Sequence, residues 1–251
     1  MKVRGLALGG GVTLDDIQKR QNMLKKYDQS FGSFAKEDKL LAGMDKFSQK
    51  AYAMMRSSKA REAFDLTRES ASITRMFDEQ SFSQSCLLAS RLVQSGVKFV
   101  TLNIGGWDTH RENFTKLKDS LLPQLDAGLS GLLQALESKG LLESTAVFVT
   151  GEFGRTPLAD NGGGKSTGRD HHPFAFSMLL AGGGLRGGHV HGKTDELGWG
   201  VVEKPVEVND LQATLLHQFG LDHKKLKFRI GPRDLRLVEN EEARVATELL
   251  G

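Results

Sequence analysis

The sequence predicts an α/β protein in which a helical segment over residues 1–95 precedes an α/β core over residues 96–251. Two observations lead to this prediction. From Leu14 to Ser95 the chain is dense in charged residues and contains no proline, which favours helices. After Gly96, strand-like and helix-like runs alternate, which indicates a parallel or mixed sheet.

The amino-terminal segment predicts three or four helices, which Gly32 and Gly43 interrupt. Between the second glycine and residue 56, Phe47, Ala51 and Met54 share one face of a helix. This spacing is typical of a helix that packs on a core, so we interpret these side chains as packing residues.

The core begins with an apolar run over residues 97–104, which predicts a strand. A helix is expected next, because leucines recur on one face at positions 117, 121, 122, 125, 129, 132, 133 and 136. Gly140 would end this helix, and residues 145–150 predict a second strand. Strand, helix and strand would form a right-handed crossover that makes the two strands parallel.

A third strand is predicted over residues 174–181, directly after Asp170, His171 and His172. If that triplet joins the site described below, this strand must run antiparallel to the other two. The glycine-rich residues 160–169 mimic a phosphate-binding loop, but no helical pattern follows them, so a surface loop is expected. A last helix over residues 210–219 would end at Gly220.

Composition and charge restrict the class of protein. With 39% apolar and 26% charged residues, the chain is an ordinary globular protein. A net charge of +3, spread over residues of alternating sign, does not favour nucleic acid as a partner. Cys86 is the single cysteine, which excludes an intrachain disulfide and a cysteine-rich metal site. The first nine residues are too short an apolar patch for an export signal or a membrane span, so the chain as written is expected in the cytoplasm.

Asp108 and His110 stand at the end of the first predicted strand. Residues two apart on an extended chain share a face, so the carboxylate and the imidazole would point into one pocket. Carboxylate with imidazole is a common ligand combination for zinc, manganese or iron. The alternative is that Asp108 or Thr109 simply caps the helix that follows.

Other candidate ligands are expected at the same edge of the sheet. Glu152 and Arg155 leave the second predicted strand, and ligands of open sheets bind outside the carboxyl ends of strands. His171 and His172 would approach this edge from the third strand, and either could be the ligand. His189 and His191 suit a short edge strand, where a hydrogen-bonded or solvated role is the more common one.

Several motifs occur in an order that resembles one family. They are residues 106–110 (Gly-Trp-Asp-Thr-His), 151–157 (Gly-Glu-Phe-Gly-Arg-Thr-Pro), 168–172 (Gly-Arg-Asp-His-His), 180–184 (Leu-Ala-Gly-Gly-Gly) and 210–217 (Asp-Leu-Gln-Ala-Thr-Leu-Leu-His). Together they resemble the uncharacterised bacterial family numbered 1501 among the domains of unknown function, a sulfatase-like family of the alkaline phosphatase-like superfamily. They extend from about residue 81 to the end of the chain.

This resemblance implies a three-layer α/β/α fold around a mixed, mostly parallel sheet. It also implies a hydrolase of phosphate or sulfate esters, with divalent zinc, manganese or calcium ions beside a nucleophile that these motifs do not locate. By motif order, one metal would be held by Asp108, His110 and one of His171 and His172. Glu152 would serve a second metal.

Arg155 would clamp the anionic ester, because a guanidinium group matches the oxygens of a tetrahedral anion. Phe153 stands where the superfamily has a histidine, so the second metal would lose a ligand. The sulfatase Cys-x-Pro-x-Arg signature is absent, since Leu87 and Leu88 follow Cys86.

The chain is also expected to match only the carboxyl-terminal part of such proteins. Nothing before Leu14 resembles the segment that contains their first strand, and relatives are usually exported or periplasmic. The alternative function is therefore a catalytically inactive or truncated relative with a binding or structural role. An exposed sheet edge would then favour self-association or a partner protein.

Overall fold

The computed structural model describes residues 11–31, 57–159 and 167–251. The chain divides into two compact units, residues 1–102 and residues 103–251. The helix predicted around Phe47 and most of the predicted glycine-rich loop lie outside the described residues. The domain boundary predicted between residues 95 and 96 stays a prediction.

The described part of the first unit is helical. Its helices are α1 (Leu14–Phe31), α2 (Ser58–Phe64), α3 (Ala71–Thr74) and α4 (Ser81–Gln94), with a 3-10 turn at Leu66–Arg68. Ser57, Asp65 and Ser70 each begin one of these short elements by accepting a backbone N–H with the side chain. Such caps satisfy donors that the first helical turn leaves unpaired.

Arg91 of α4 connects this helix with α2 and with Glu69. Its guanidinium lies 3.2 Å from the Glu69 carboxylate, and it donates to the backbone carbonyls of Glu62 and Ala63. The Arg91 and Glu69 side chains are only 11% and 9% exposed, so the pair is shielded from water. On the same helix, burial raises the pKa of the Cys86 thiol to about 12.

The second unit contains one long helical stretch and one shorter helix. In order they are α5 (Asn113–Lys116), a π-helical turn (Leu117–Leu121), α6 (Leu122–Ser138) and α7 (Val208–Gln218), with 3-10 turns at Leu142–Ser144 and Thr247–Leu249. The predicted leucine face buries Leu121, Leu132 and Leu136. Gly140 ends the stretch with φ +64°, as predicted. Across the described residues, no helix combines the length and the apolar character needed to cross a lipid bilayer.

Short antiparallel strand pairs complete the second unit. They are β1 (Val147–Val149) with β4 (Leu179–Ala181), β2 (Gly154–Arg155) with β3 (His171–His172), β5 (Lys193–Thr194) with β6 (Val201–Glu203), and β7 (Lys227–Ile230) with β8 (Arg233–Arg236). Helices and strands together confirm a mixed α/β protein. The pairs found in the described residues are antiparallel, so the expected mostly parallel, three-layer sheet is not seen among them.

The strand predicted over residues 97–104 does not form. A strand requires a hydrogen-bonding neighbour, and no other strand of the described residues pairs with this segment. Phe99 is 75% exposed, so the apolar pattern of the segment is not used for burial there. The parallel crossover predicted from this strand is therefore not seen in the described residues.

The third predicted strand does run antiparallel to the second. Val147 pairs with Ala181, and Val149 pairs with Leu179. Gly183 allows the chain after β4 to fold tightly against β1, because it has φ +57° and a Cβ atom there would lie 2.6 Å from the Ala146 nitrogen. The glycines that follow the third strand thus permit a close backbone approach.

Candidate metal centre

Three side chains from two distant segments meet in the second unit. The Asp108 Oδ1 atom lies 3.0 Å from His110 Nε2 and 2.9 Å from His171 Nε2. The two imidazole nitrogens are 3.2 Å apart. We call Asp108, His110 and His171 the metal triad, because one oxygen and two nitrogens at this spacing could hold one metal ion.

Thr109 places its two neighbours in this triad. It is 1% exposed, and its hydroxyl bonds to the Asn113 side chain while its carbonyl accepts from Arg169 N at 3.3 Å. The Thr109 backbone N–H also donates to the Trp107 carbonyl at 2.9 Å, which makes a tight turn centred on Asp108, and the side chains of Asp108 and His110 meet with Oδ1 3.0 Å from Nε2. The shared face predicted for them is present without the strand from which it was predicted.

The alternative capping role is not the one that the structure shows. Helix α5 begins at Asn113, and Glu112 is the residue that precedes it. Asp108 and Thr109 lie further upstream, and the Thr109 hydroxyl contacts the Asn113 side chain.

Gly168 brings the second segment of the site against the first. A Cβ atom at this position would lie 1.8 Å from the His110 carbonyl oxygen, so a larger residue would force the two segments apart. Next to it, the Asn113 amide donates to the Thr167 carbonyl at 2.9 Å. This close backbone approach positions residues 170–172 beside Asp108.

The two histidines of the triplet have opposite surroundings, because successive strand residues point to opposite faces. His171 lies beside Arg155 in the β2–β3 register and joins the triad. His172 is 2% exposed, and its Nε2 atom bonds to the Trp199 carbonyl at 2.8 Å. Of the two alternatives left open by the sequence, the structure brings His171 into the triad and places His172 in the interior.

Arg155 fixes the orientation of the Asp108 carboxylate. Its guanidinium donates to Asp108 Oδ1 at 2.7 Å, to the Trp107 carbonyl at 3.1 Å and to the Arg169 carbonyl at 3.2 Å. Together with the hydrogen bond from His171, this contact lowers the pKa of Asp108 to about 2. Asp108 is therefore ionised at neutral pH. The role of Arg155 as a substrate clamp stays a prediction.

Glu152 is exposed and lies outside the triad. Its neighbour Phe153 does reach the site, because its ring centroid is 4.3 Å from that of His171. The described residues thus offer one group of three ligands, and a second group around Glu152 is not found among them. The side chain that replaces the expected histidine packs against a metal-triad residue.

Asp170 was not among the candidate ligands, although it opens the Asp-His-His triplet. Its Oδ1 atom accepts the His171 backbone N–H at 2.7 Å and lies 3.7 Å from His110 Nδ1. The contact with His110 is too long for a hydrogen bond, so Asp170 acts on the site through the backbone N–H of His171. The signal in the sequence was its position immediately before two histidines.

The chain was compared with known families and proteins. The model of the family described as Protein of unknown function (DUF1501) matches residues 1–250. The chain belongs to this family. No curated protein and no solved structure matches the chain. The family match confirms the resemblance, and it includes the helical unit as well as the unit that contains the metal triad.

The remaining histidines of this DUF1501 protein lie apart from the triad. His189 and His191 precede β5, so the edge strand predicted for them is not formed. Their rings are 5.8 Å apart and both line a cleft. His223 bonds through Nε2 to the Ala243 carbonyl at 3.1 Å, which is a structural contact.

Proposed function

We propose that this protein is a metal-dependent hydrolase of phosphate or sulfate esters, with one metal ion held by the metal triad. The observation that supports this most directly is that His171 meets Asp108 and His110, although it lies 63 and 61 residues from them in the chain. One carboxylate oxygen and two imidazole nitrogens lie within 3.2 Å of one another there.

The dimensions of the triad fit a transition metal. Ligand atoms at 2.0–2.1 Å from a tetrahedral zinc ion are about 3.3 Å from each other. The three separations observed are 2.9, 3.0 and 3.2 Å, so small side-chain rotations would suffice. Two imidazoles favour zinc or manganese over calcium, which prefers oxygen ligands.

Three protein ligands leave a coordination position for water or substrate, which is the arrangement of catalytic rather than structural zinc sites. A metal bound there would polarise an ester oxygen and lower the pKa of water. The residues of the chain orient the ligands: Arg155 donates to Asp108, and Asp170 accepts the backbone N–H of His171. Asp108 is 69% exposed and His171 is 46% exposed, so a small anionic ester could reach them.

Arg155 has N–H groups that make no hydrogen bond within the described residues and could bind that anion. Three of its hydrogen bonds are made to the protein, whereas a guanidinium has five N–H groups. A substrate oxygen beside the triad could accept one of the others. The alkaline phosphatase-like three-layer fold belongs to this proposal as well, and the antiparallel position of β4 beside β1 is compatible with a mixed sheet.

The proposal is tested by metal content and hydrolysis together. Protein stripped with a chelator and then loaded with zinc should hold about one metal per chain, as three-ligand sites do. Asp108→Ala should lose this metal, while Asp126→Ala, an exposed carboxylate on α6, should retain it. Zinc-loaded protein should hydrolyse p-nitrophenyl phosphate or p-nitrophenyl sulfate, and Asp108→Ala should not.

Two results would contradict the proposal in different ways. Equal metal content in Asp108→Ala and in the unaltered protein would remove the triad as the metal site. Stoichiometric metal without hydrolysis of either ester would favour the alternative function, a relative that has a binding or structural role.

A further inference from the structure

The cleft that His189 and His191 line lies in the same unit as the metal triad and shares no residue with it. It has a volume of about 520 Å³, which is within the range of small-molecule sites. Three segments line it: residues 186–191 between β4 and β5, residues 204–210 at the start of α7, and the carboxyl-terminal Arg244 and Glu248. We call it the His191 cleft.

The carboxylates of this cleft are already bound by the protein. Asp210 accepts the Arg244 backbone N–H at 2.9 Å and takes part in the capping box of α7 with Glu207. Glu248 forms an ion pair of 2.8 Å with the Arg244 side chain. Each lining carboxylate thus has a partner within the protein, and Arg244 offsets the charge of Glu248.

The cations have fewer partners. Arg186 and Lys204 make no side-chain hydrogen bond and no ion pair with any of the described residues. Lys204 has φ +46°, a left-handed conformation that is uncommon for a residue other than glycine. Two cationic side chains therefore border the cleft with their donors unused.

His191 supplies an independent indication of a ligand. Its side chain is only 10% exposed, and its Nε2 atom is buried without a hydrogen-bond partner among the described residues. The nearest carboxylate oxygen, of Glu248, is 3.8 Å away, which is too far for a hydrogen bond. A buried ring nitrogen without a partner costs free energy, and a ligand oxygen in the cleft would recover it.

We propose that the His191 cleft binds a small molecule through a phosphate group. Arg186 and Lys204 would supply positive charge, and His191 would donate a hydrogen bond to one oxygen of the group. The volume exceeds that of a free phosphate ion, so the group is expected on a small organic molecule. This binding site does not depend on the hydrolase proposed above.

The test uses Asp108→Ala protein treated with a chelator, so that phosphate cannot bind at the metal triad. Inorganic phosphate and phenylphosphonate are titrated at constant pH and ionic strength, and the His191 ring signals are followed by NMR. Saturable shifts are expected with both probes, with the tighter binding for phenylphosphonate. Equal affinities would still support the phosphate site but overturn the organic part of the proposal.

Variants show whether the cations of the His191 cleft are responsible for phosphate binding. Arg186→Gln and Lys204→Gln, which alter exposed side chains, should each weaken binding about tenfold, as expected for the loss of a charge-assisted hydrogen bond. Arg233→Gln removes an exposed arginine on β8 and is the matched control. No saturable shift at millimolar concentrations, or equal weakening in the control, would overturn the proposal. Because all of these proteins lack Asp108, neither result depends on hydrolysis.

Discussion

The adjacent histidines His171 and His172 illustrate how neighbouring residues acquire different functions. One is 46% exposed and contacts Asp108, while the other is 2% exposed and bonds to a backbone carbonyl. Their residue type is identical, so the difference arises from the face of β3 on which each one lies. Replacing each histidine is therefore expected to have a different effect on metal binding and on stability.

His171→Ala should remove bound metal and leave the free energy of unfolding nearly unchanged, because an exposed side chain is lost. His172→Ala should retain the metal site but lower the free energy of unfolding by about 1–3 kcal/mol, since it leaves a partner unsatisfied and a space in the interior. Urea unfolding and elemental analysis of both variants measure these effects. Loss of metal in His172→Ala alone would contradict the assignment of His171 to the triad.

Among the described glycines, Gly168 leaves the least room for a Cβ atom, because the His110 carbonyl lies so close to it. Gly168→Ala should lower the free energy of unfolding by about 1–3 kcal/mol, the usual cost of overpacking, and should weaken metal binding as the segments separate. Gly187→Ala is the control, because a Cβ atom there meets nothing within 4 Å. Chemical unfolding and zinc titration of the two variants check this prediction, which equal effects would contradict.

The loop between β5 and β6 supports the interior side of the site. The Asp195 carboxylate accepts the backbone N–H groups of Leu197, Trp199 and Gly200, and the Trp199 carbonyl in turn accepts from His172. These bonds, that of Trp199 first, lower the pKa of Asp195. Their stabilisation is present above the pKa of an unfolded aspartate, about 3.9, and is lost as the pH falls through the lower folded value.

Asp195→Asn should therefore lower the Tm most at neutral pH, and the difference from the unaltered protein should shrink as the pH falls below about 4. Thermal unfolding followed by circular dichroism over a pH series measures this difference. Asp234→Asn, an exposed aspartate on β8, serves as the control. A difference that stays constant with pH would mean that the Asp195 charge does not stabilise the loop.

For the molecule as a whole, metal binding and folding stability are linked. A ligand that binds only the folded state at about 100 times its Kd adds about 2.7 kcal/mol to the free energy of unfolding. Zinc should therefore raise the Tm of the unaltered protein, calcium should raise it much less, and neither should affect Asp108→Ala. Differential scanning calorimetry with each metal tests this, and an equal response of the variant would exclude the triad as the source.

Local patterns in the sequence are sufficient to predict some of these structural features and the family. The period of the leucines predicts the helix before Gly140, and the two-residue spacing predicts that Asp108 and His110 share a face. The motif order from about residue 81 onward predicts the family, whose model matches residues 1–250. These features depend on residues near one another in the chain or on a fixed order, so no tertiary contact is needed to recognise them.

Other features depend on contacts between distant segments. An apolar run over residues 97–104 favours a strand, but only a pairing neighbour makes one, and the described residues supply none. The register of β3 against β2 places His171 in the triad, and the hydrogen bonds of His171 and then Arg155 lower the pKa of Asp108. Pairing, register and side-chain partners arise from packing across the chain, because their free energies depend on which residues meet in space rather than on local order.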